Sequence, residues 1–377
     1  MTDFDIAICG GGPVGLALAA LLAKRGVAPA RIALIDAKEL AQAIQDPRSI
    51  AVSYGSQQIL EQVDAWTGAS TPIREIHVSR RGHFGRTLIR SDEYGLPALG
   101  YVSRYGALVS TLAGAAQRAG ITTIRPAHVT ASNEQDDLVA LRLDDGRTLT
   151  AQIVVQAEGG VFSDQAAKAI TRAYEQTAVV AQVTVNAPLA GRAFERFTDE
   201  GPLALLPQDD GYSLVWCMKP TRAAHLIALP ETEFLESLQQ AFGTRLGRFT
   251  GVRQRIAYLL GLNARTGITA RTVAIGNAAQ TLHPVAGQGL NLGLRDAAVL
   301  AGLLAQQSSP AMLERFAANR QADRSLIIQA TDTMARIFAS APDGAFSQSM
   351  LGLSLGLVDA LKPAKRMLAD LMMFGRR

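Results

Sequence analysis

The stretch FDIAICGGGPVGLALAALLAKRG, residues 4–26, decides the fold of this 377-residue chain. Its apolar run at 4–9 predicts a buried strand, and the run at 13–25 predicts a helix, with glycines between them. A second buried strand is predicted at 31–36 (RIALID). Together these elements form a βαβ unit, the usual beginning of a parallel sheet.

The glycines in the first turn follow the spacing of a dinucleotide-binding motif. Gly10 permits the tight turn, Gly12 allows backbone to approach a diphosphate, and Gly15 lets helix and strand pack closely. A diphosphate there faces free N–H groups and the positive end of the helix dipole. Asp36 ends the next strand, where its carboxylate can accept from a ribose hydroxyl. An ordinary βα turn with an acidic strand end is the alternative, and the motif does not choose between FAD and NAD.

A second glycine-rich run favours FAD. The predicted strand 271–276 is followed by GNAAQ (276–280) and HPVAGQGLNLG (283–293), and a helix is predicted at 294–307. Glycines at 287, 289 and 293 leave a helix N-terminus bare of side chains over a flat surface. A flavin needs such a site, because N–H donors near its pyrimidine edge stabilise the anionic reduced ring. The alternative is a glycine-rich loop that merely begins a helix.

Length and composition predict two domains and an appendage. Apolar residues make up 48% and charged residues 19% of the chain, as in a well-packed globular enzyme. We predict an α/β (α+β) fold, with a Rossmann-type FAD-binding domain, an inserted β-sheet substrate domain and a C-terminal helical region. The predicted boundaries are 1–75, 98–178 and 265–322 for the FAD-binding domain, 76–97 and 179–264 for the β-rich substrate domain, and 323–377 for the helical region.

Charge and cysteine content exclude several classes of protein. The net charge of +4 comes without a dense Lys/Arg block, so no nucleic-acid partner is expected. Cys9 and Cys217 end predicted strands and are expected to be buried free thiols. The five histidines lack metal-ligand spacing, so no metal is expected. No run reaches about 18 apolar residues, which predicts a cytoplasmic protein with at most peripheral membrane contact.

Further motifs resemble a known family. They are DPRSIAVSYGS (46–56), RFT (196–198), GPLALLP (201–207), SLVW (213–216) and the run 276–296. With them the chain resembles, over essentially its whole length, the flavoprotein aromatic hydroxylases typified by p-hydroxybenzoate hydroxylase. Within that family it resembles the ubiquinone-biosynthesis hydroxylases, and Asn277 and Gln280 are similar to the 2-polyprenyl-6-methoxyphenol hydroxylase subgroup.

The resemblance implies an FAD-dependent, single-component monooxygenase that uses O2 and NAD(P)H to hydroxylate a polyprenyl (methoxy)phenol in ubiquinone biosynthesis. Because only one dinucleotide fingerprint occurs, NAD(P)H is expected to dock transiently. The expected cofactor-binding residues are Gly10, Gly12, Gly15, Asp36, Arg48, Arg104, Glu158, Gly276, Asn277, Pro284, Gly287, Gly289, Leu290 and Asn291. The substrate-pocket candidates are Phe197, Pro207, Trp216 and Pro284, with core packing an equal alternative for the aromatic residues. The sequence identifies no general base.

The chain departs from the family pattern at Asn277, at Glu158 and in SDQAAK (163–168), where the family's serine and arginine pattern is blurred. Asn277 replaces an aspartate that meets the ribityl or pyrophosphate region of FAD, and an amide there is expected to retain binding. Glu158 replaces the aspartate of an Asp-Gly motif tied to FAD and NAD(P)H, which puts the nicotinamide contacts in doubt. Arg104 lies near a flavin-contacting arginine of some relatives, although a surface arginine is equally consistent.

Other interpretations stay open at the sequence level. One is a different FAD oxidoreductase on this fold, such as a prenyl reductase or a halogenase, although Trp66 and Trp216 lie too far apart for a halogenase motif. Another is a non-catalytic flavin-binding subunit of a biosynthetic complex, and a homo-oligomer is also possible. The segment 349–377 mixes leucines and methionines with basic residues, which suits a helix on an anionic membrane surface or one that covers the core.

Overall fold

A computed structural model describes residues 2–66, 68–82, 86–158, 172–264, 268–281, 287–339 and 362–375. Within these ranges the chain forms a seven-stranded sheet, a three-stranded sheet and an eight-stranded sheet.

The seven-stranded sheet is built around the βαβ unit. Its strands are β1 (Phe4–Cys9), β2 (Ile32–Ile35), β8 (Thr122–Ile124), β9 (Val129–Glu134), β10 (Val139–Leu143), β11 (Thr148–Gln156) and β17 (Thr272–Ala274). The strand order is β8-β2-β1-β11-β10-β9, and β17 pairs in parallel with β11. Strands β1, β2, β8, β11 and β17 run parallel, and β10 joins β11 in an antiparallel hairpin at the Asp145-Gly146 turn. Most of these strands' apolar side chains are buried.

Helices cover one face of this sheet. They include α1 (Pro13–Lys24), α4 (Tyr105–Arg118) and α7 (Gln288–Leu304), and their apolar faces share one core with β1, β2, β11 and β17. The short helix α2 (Leu40–Ile44) packs on α4. A second core, which includes Ala7, Ala33 and Leu141, buries the other face. Because the strands are buried on both faces, they appear in sequence as continuous apolar runs rather than alternating ones.

The three-stranded sheet connects the two larger ones. It pairs β3 (Ser49–Ser53) and β4 (Thr71–Ile73) with β7 (Gly100–Arg104), and helix α3 (Tyr54–Glu61) follows β3. Ile73 of β4 and Val102 of β7 pack against Ala193 in the eight-stranded sheet.

The eight-stranded sheet has the order β18-β16-β12-β15-β14-β13-β5-β6. Its strands are β5 (Glu75–Arg80), β6 (Arg86–Arg90), β12 (Arg172–Val185), β13 (Arg192–Phe197), β14 (Pro202–Gln208), β15 (Gly211–Met218), β16 (Phe249–Ala264) and β18 (Gln280–Thr281). Helices α5 (Pro220–Ala228) and α6 (Glu231–Phe242) cover one face with a core that includes Phe234 and Leu238.

The C-terminal part adds α8 (Pro310–Ala339) and α9 (Lys362–Phe374). One face of α9 is buried, because Ala369 and Met373 pack with Ile89 of β6 and with Leu99. The Lys365 ammonium, also buried, forms an ion pair of 2.9 Å with Glu93.

The structure changes several details of the sequence prediction. The helix predicted at 294–307 begins at Gln288, and α5 and α6 were not predicted. The sequence also predicts breaks in the C-terminal helical region near Pro342 and Pro363, and Pro363 lies in the first turn of α9, where its missing N–H is not needed. Strand β12 begins at Arg172, before the proposed boundary at 178, and α8 continues across the proposed boundary at 322. Pro342 lies outside the described residues.

Candidate active site

The first part of the site is the N-terminus of α1, where the three glycines have distinct local environments. Gly10 has a φ of +115°, and a Cβ there would lie 2.5 Å from the carbonyl carbon of Ala157. A Cβ on Gly15 would overlap the carbonyl oxygen of Gly10. Gly12 is the N-cap of α1 and has no side-chain cap, and its nearest neighbour would be the Tyr105 hydroxyl at 3.5 Å. The space at Gly12 and the uncapped N–H groups are what a diphosphate requires.

Asp36 holds the turn in position beside this helix end. Its carboxylate accepts from the backbone N–H of Gly11 and, at 2.7 Å, from that of Lys38. The Arg125 guanidinium lies 3.3 Å from the same carboxylate, and the Arg125 side chain is 8% exposed. Sequence analysis missed Arg125, because a lone arginine after a short strand has no motif. Asp36 and Arg125 together place one negative and one positive charge at the ribose end of the turn.

The second part of the site is the N-terminus of α7. Gly287 is its N-cap with a φ of +58° and no side-chain cap, and a Cβ on Gly289 would meet only the Asn277 Oδ1 at 3.7 Å. Gly293 lies inside the helix and permits close packing, since its Cβ would lie 2.7 Å from Val14 of α1. The two helix N-termini are therefore interlocked at the carboxyl-terminal edge of the parallel strands, where ligands bind in open α/β sheets.

Asn291 fixes this helix end to β3. Its side chain is buried, with its Oδ1 accepting from the Ser53 N–H at 2.8 Å and its amide donating to the carbonyl oxygens of Ala51 and Gly287. These bonds occupy the Asn291 side chain, so any flavin contact at Asn291 would be made by its backbone. Its neighbour Leu290 is partly buried against the α1 core.

Gly276 and Asn277 lie in a short 3-10 turn beside both helix ends. Gly276 has a φ of +59°, and a Cβ there would lie 3.2 Å from Val14. Glu158 follows β11 next to Gly10, so the proposed cofactor residues of three separate segments converge on one edge. Pro284 lies outside the described residues.

Arg48 lies between helix α4 and the eight-stranded sheet. Its guanidinium donates to Asp46 at 2.6 Å and stacks 4.8 Å from the Tyr105 ring centre. Burial would lower the Arg48 pKa, but the Asp46 carboxylate outweighs it and the net pKa is raised. A narrow cleft joins Arg48 to Gln182 and Ser213 of the eight-stranded sheet. Arg104 is the last residue of β7 and the N-cap of α4. Its side chain is half exposed and pairs with Asp209 at 2.5 Å.

The face of the eight-stranded sheet opposite α5 and α6 is turned toward these elements. Along β13, Phe194 packs with the helices, whereas Ala193 packs with Ile73 and Val102 of the small sheet. Side chains alternate between faces along a strand, so Glu195 and Phe197 share the face of Ala193. Ser49 of β3 also hydrogen-bonds Gln208 on this side. We call this surface the inner face.

The inner face corrects two of the predicted pocket residues. Phe197 lies on it and is buried, in register with Pro202 and Arg80. Trp216 instead lies in the core under α5 and α6, with 1% exposure, and Pro207 shares the face of its register partner Tyr212 in that same core. Because side chains alternate between the two faces of a strand, the register decides which residues face the site. The sequence motifs alone did not show whether the odd- or even-numbered residues of each strand do so.

The floor of the inner face is instead formed by small apolar residues that sequence analysis missed. These are Ala204, Val215, Val180 and Ile256, which stand in register across four strands. The alternation of side chains along these strands identifies the floor residues only when it is known which face α5 and α6 cover.

Comparison with known proteins identifies what this arrangement serves. Residues 3–331 match the family described as FAD binding domain. The chain is 34% identical over 384 residues to ubiquinone hydroxylase UbiL of Rhodospirillum rubrum, covering 96% of this chain and 88% of that protein. The chain belongs to the FAD-dependent hydroxylases of ubiquinone biosynthesis. It is also 29% identical to 3-demethoxyubiquinol 3-hydroxylase of Escherichia coli over 348 residues, covering 87% of this chain and 88% of the relative.

The fold of this hydroxylase has a close structural counterpart. Crystalline p-nitrophenol 4-monooxygenase PnpA from Pseudomonas putida superposes with a TM-score of 0.79 over 100% of both chains, at 16% identity. This likeness confirms the α/β fold predicted from the βαβ unit and the strand-rich insertion. The two open helix ends, the space at Gly12 and Gly289, and the charged Asp36–Arg125 pair fit an FAD that extends from α1 to α7.

Proposed function

We propose that this hydroxylase acts on the ring of a polyprenylated phenol, with a methoxyphenol as the expected form, and that it does so beside a membrane surface. The observation that carries the proposal is the inner face, whose apolar floor at Val180 and Ile256 lies across a narrow cleft from Arg48 and Ser49. The named reactions of the two relatives, on ubiquinone and on 3-demethoxyubiquinol, support a substrate of the quinone class.

The chain's own residues bind and orient the reactants. The N-termini of α1 and α7 hold the diphosphate and the ring end of FAD, with NAD(P)H as the transient reductant. Bound FAD supplies the oxygen chemistry. Ala204, Val215 and Val180 offer a flat apolar floor for an aromatic ring and exclude water from it.

Arg48 forms one wall of the proposed ring pocket. Its position over Tyr105, at the mouth of the cleft toward Gln182, fits a residue that closes one side of the ring pocket. Because Asp46 holds its guanidinium at 2.6 Å, Arg48 is fixed in place before any ligand arrives.

Purified FAD-loaded protein tests the proposal through NAD(P)H consumption with and without a prenylated 2-methoxyphenol. We expect the phenol to accelerate consumption severalfold and to be converted to a product one oxygen heavier. The matched ligand is the same molecule with its hydroxyl replaced by hydrogen, which should bind without being hydroxylated. Consumption that does not depend on the phenol, with no oxidised product, would rule the substrate class out.

A further inference from the structure

Glu195 is the one acidic side chain that the central strands β13, β14 and β15 carry on the inner face. It stands in register with Ala204 on one side and Val78 on the other, so its strand neighbours offer it only methyl groups. The carboxyl oxygen Oε1 is shielded from solvent and has no hydrogen-bond partner among the described residues. Buried polar groups in native proteins are nearly always paired, and the exceptions often have a catalytic role.

The surroundings of this carboxyl group keep it protonated near neutral pH. Burial raises the pKa of Glu195 to about 8, and burial is the whole cause. The titratable groups on the same face of nearby strands are Arg80 of β5, which adjoins β13, and Cys217 of β15, which is two strands away. Burial, and secondarily Glu195, raises the pKa of the Cys217 thiol, so that thiol stays neutral. The small sheet opposite presents the apolar Ile73 and Val102.

A phenol is the kind of ligand that would complete this carboxyl group. The apolar floor fits an aromatic ring, and a hydroxyl group on that ring is a hydrogen-bond donor that the unpaired Oε1 of Glu195 can accept. A carboxylate that accepts such a bond is stabilised in its charged form, which lowers its pKa. Glu195 would therefore lose its own proton as the phenol binds.

We propose that Glu195 contacts the phenol hydroxyl of the substrate and accepts its proton during ring hydroxylation. The O–H bond of the phenol breaks, the proton moves to the Glu195 carboxylate, and the electron pair stays on the ring oxygen. That pair raises the electron density at the ortho and para carbons, where an electrophilic oxygen is accepted. A base with a pKa near the working pH is the efficient choice for such a transfer. The assignment rests on the proposed function, because it takes a phenol as the substrate.

The first test measures proton release on binding and needs no turnover. Oxidised, FAD-loaded protein is titrated at pH 7 with 2-methoxyphenol by calorimetry in buffers of different ionisation enthalpy. We expect release approaching one proton per phenol bound, and none in Glu195→Gln. The matched control Glu236→Gln removes an exposed carboxylate on α6 and should behave as the unchanged protein. Equal release in Glu195→Gln, or no release in the unchanged protein, would overturn the assignment.

The second test uses the pH dependence of turnover. The kcat/KM of the unchanged protein should rise with pH through about 8, because it reports the free protein, in which Glu195 must lose its proton for the phenol to be accepted. In Glu195→Gln this rise should vanish, turnover should fall about 100-fold or more, and FAD retention should be unchanged. NAD(P)H consumption should continue in the variant with less of it ending in hydroxylated product. Retention of both the pH rise and full coupling would contradict the role, whereas absence of phenol turnover in both proteins contradicts the proposed function alone.

Discussion

At the scale of single residues, Gly12 and Gly15 have different roles although one turn of chain separates them. A side chain at Gly15 has no room, because the carbonyl oxygen of Gly10 occupies that position. A side chain at Gly12 has room in the protein itself, because only the Tyr105 hydroxyl lies within 4 Å. Gly15 is therefore needed for the fold and Gly12 for the ligand.

We predict that Gly12→Val keeps the apoprotein folded but weakens FAD binding at least tenfold, or about 1.4 kcal/mol. Gly15→Ala should instead destabilise the apoprotein by about 3 kcal/mol through overpacking. Flavin fluorescence titration and denaturant unfolding separate the two effects. Gly68→Val, at an exposed position with open space, is the control and should change neither. Unaltered FAD affinity in Gly12→Val would contradict the placement of the diphosphate.

Residue types and spacing predicted the glycines, Asp36 and the buried cysteines, because each depends on local chain geometry or strand position. Burial raises the pKa of Cys9 to about 12, in line with the predicted inert thiol. Arg125, Glu195 and the floor residues were not predicted. Their positions depend on which strands pair and which face the helices cover, and the choice between pocket and core for Trp216 stayed open in the sequence for the same reason.

At the scale of elements, α7 connects the flavin end of the site to the C-terminal helices. Asp296 on α7 is fully buried and accepts from Arg320 at 2.7 Å and from Arg324 at 2.8 Å, both on α8. The same carboxylate accepts from the Gln280 amide at 3.3 Å, next to the turn that carries Asn277. The network thus holds α7, α8 and the flavin-side turn in one arrangement.

Removing the central carboxylate should have a large effect. We predict that Asp296→Ala lowers the free energy of unfolding by about 3–5 kcal/mol, because the buried Arg324 loses its carboxylate partner and the buried Arg320 keeps only Asp323. Denaturant unfolding measures this loss. Asp92→Ala removes the partner of the exposed Arg90 and should cost little. Similar losses in both variants would show that the α7–α8 network does not stabilise the fold.

Sequence periodicity placed β1, α1, β2 and β17 within a few residues, because each has a strong local signal. The start of α7 was predicted six residues too late, because glycines at 289 and 293 look like loop residues. In the structure, Gly293 lies inside the helix so that α1 can approach it. Tertiary packing, not helix propensity, explains a glycine at that position.

At the scale of the whole molecule, α9 is part of the folded body and not a detachable tail. Its buried side packs on β6, while a Cβ on Gly55 of α3 would lie 2.7 Å from the Met373 carbonyl oxygen. The alternative of a helix covering the core therefore holds for this side of α9. Truncation before it would damage the fold, so it cannot test membrane contact. Among the described residues, no helix is both long and apolar enough to cross a bilayer.

The outer side of α9 provides a better test of peripheral membrane contact. Met367 is 72% exposed and Arg366 is exposed beside it. We predict that Arg366→Glu combined with Met367→Ser weakens binding to phosphatidylglycerol vesicles at least fivefold, since each basic residue near an anionic surface contributes about 1 kcal/mol. The melting temperature should not change. Arg147→Glu, an exposed reversal in the β10–β11 turn, is the control, and equal vesicle binding in all three proteins would contradict a role for α9 at the membrane.

The central claim is that this fold transfers one oxygen atom from O2 to the ring of a prenylated phenol. The direct measurement is a single-enzyme reaction of FAD-loaded protein, NADH and prenylated 2-methoxyphenol under ¹⁸O2, followed by mass spectrometry of the product. We expect one ¹⁸O atom in each hydroxylated product and no label when ¹⁸O is supplied as water. Unlabelled product under ¹⁸O2, or NADH oxidation that leaves the phenol unchanged, would contradict it.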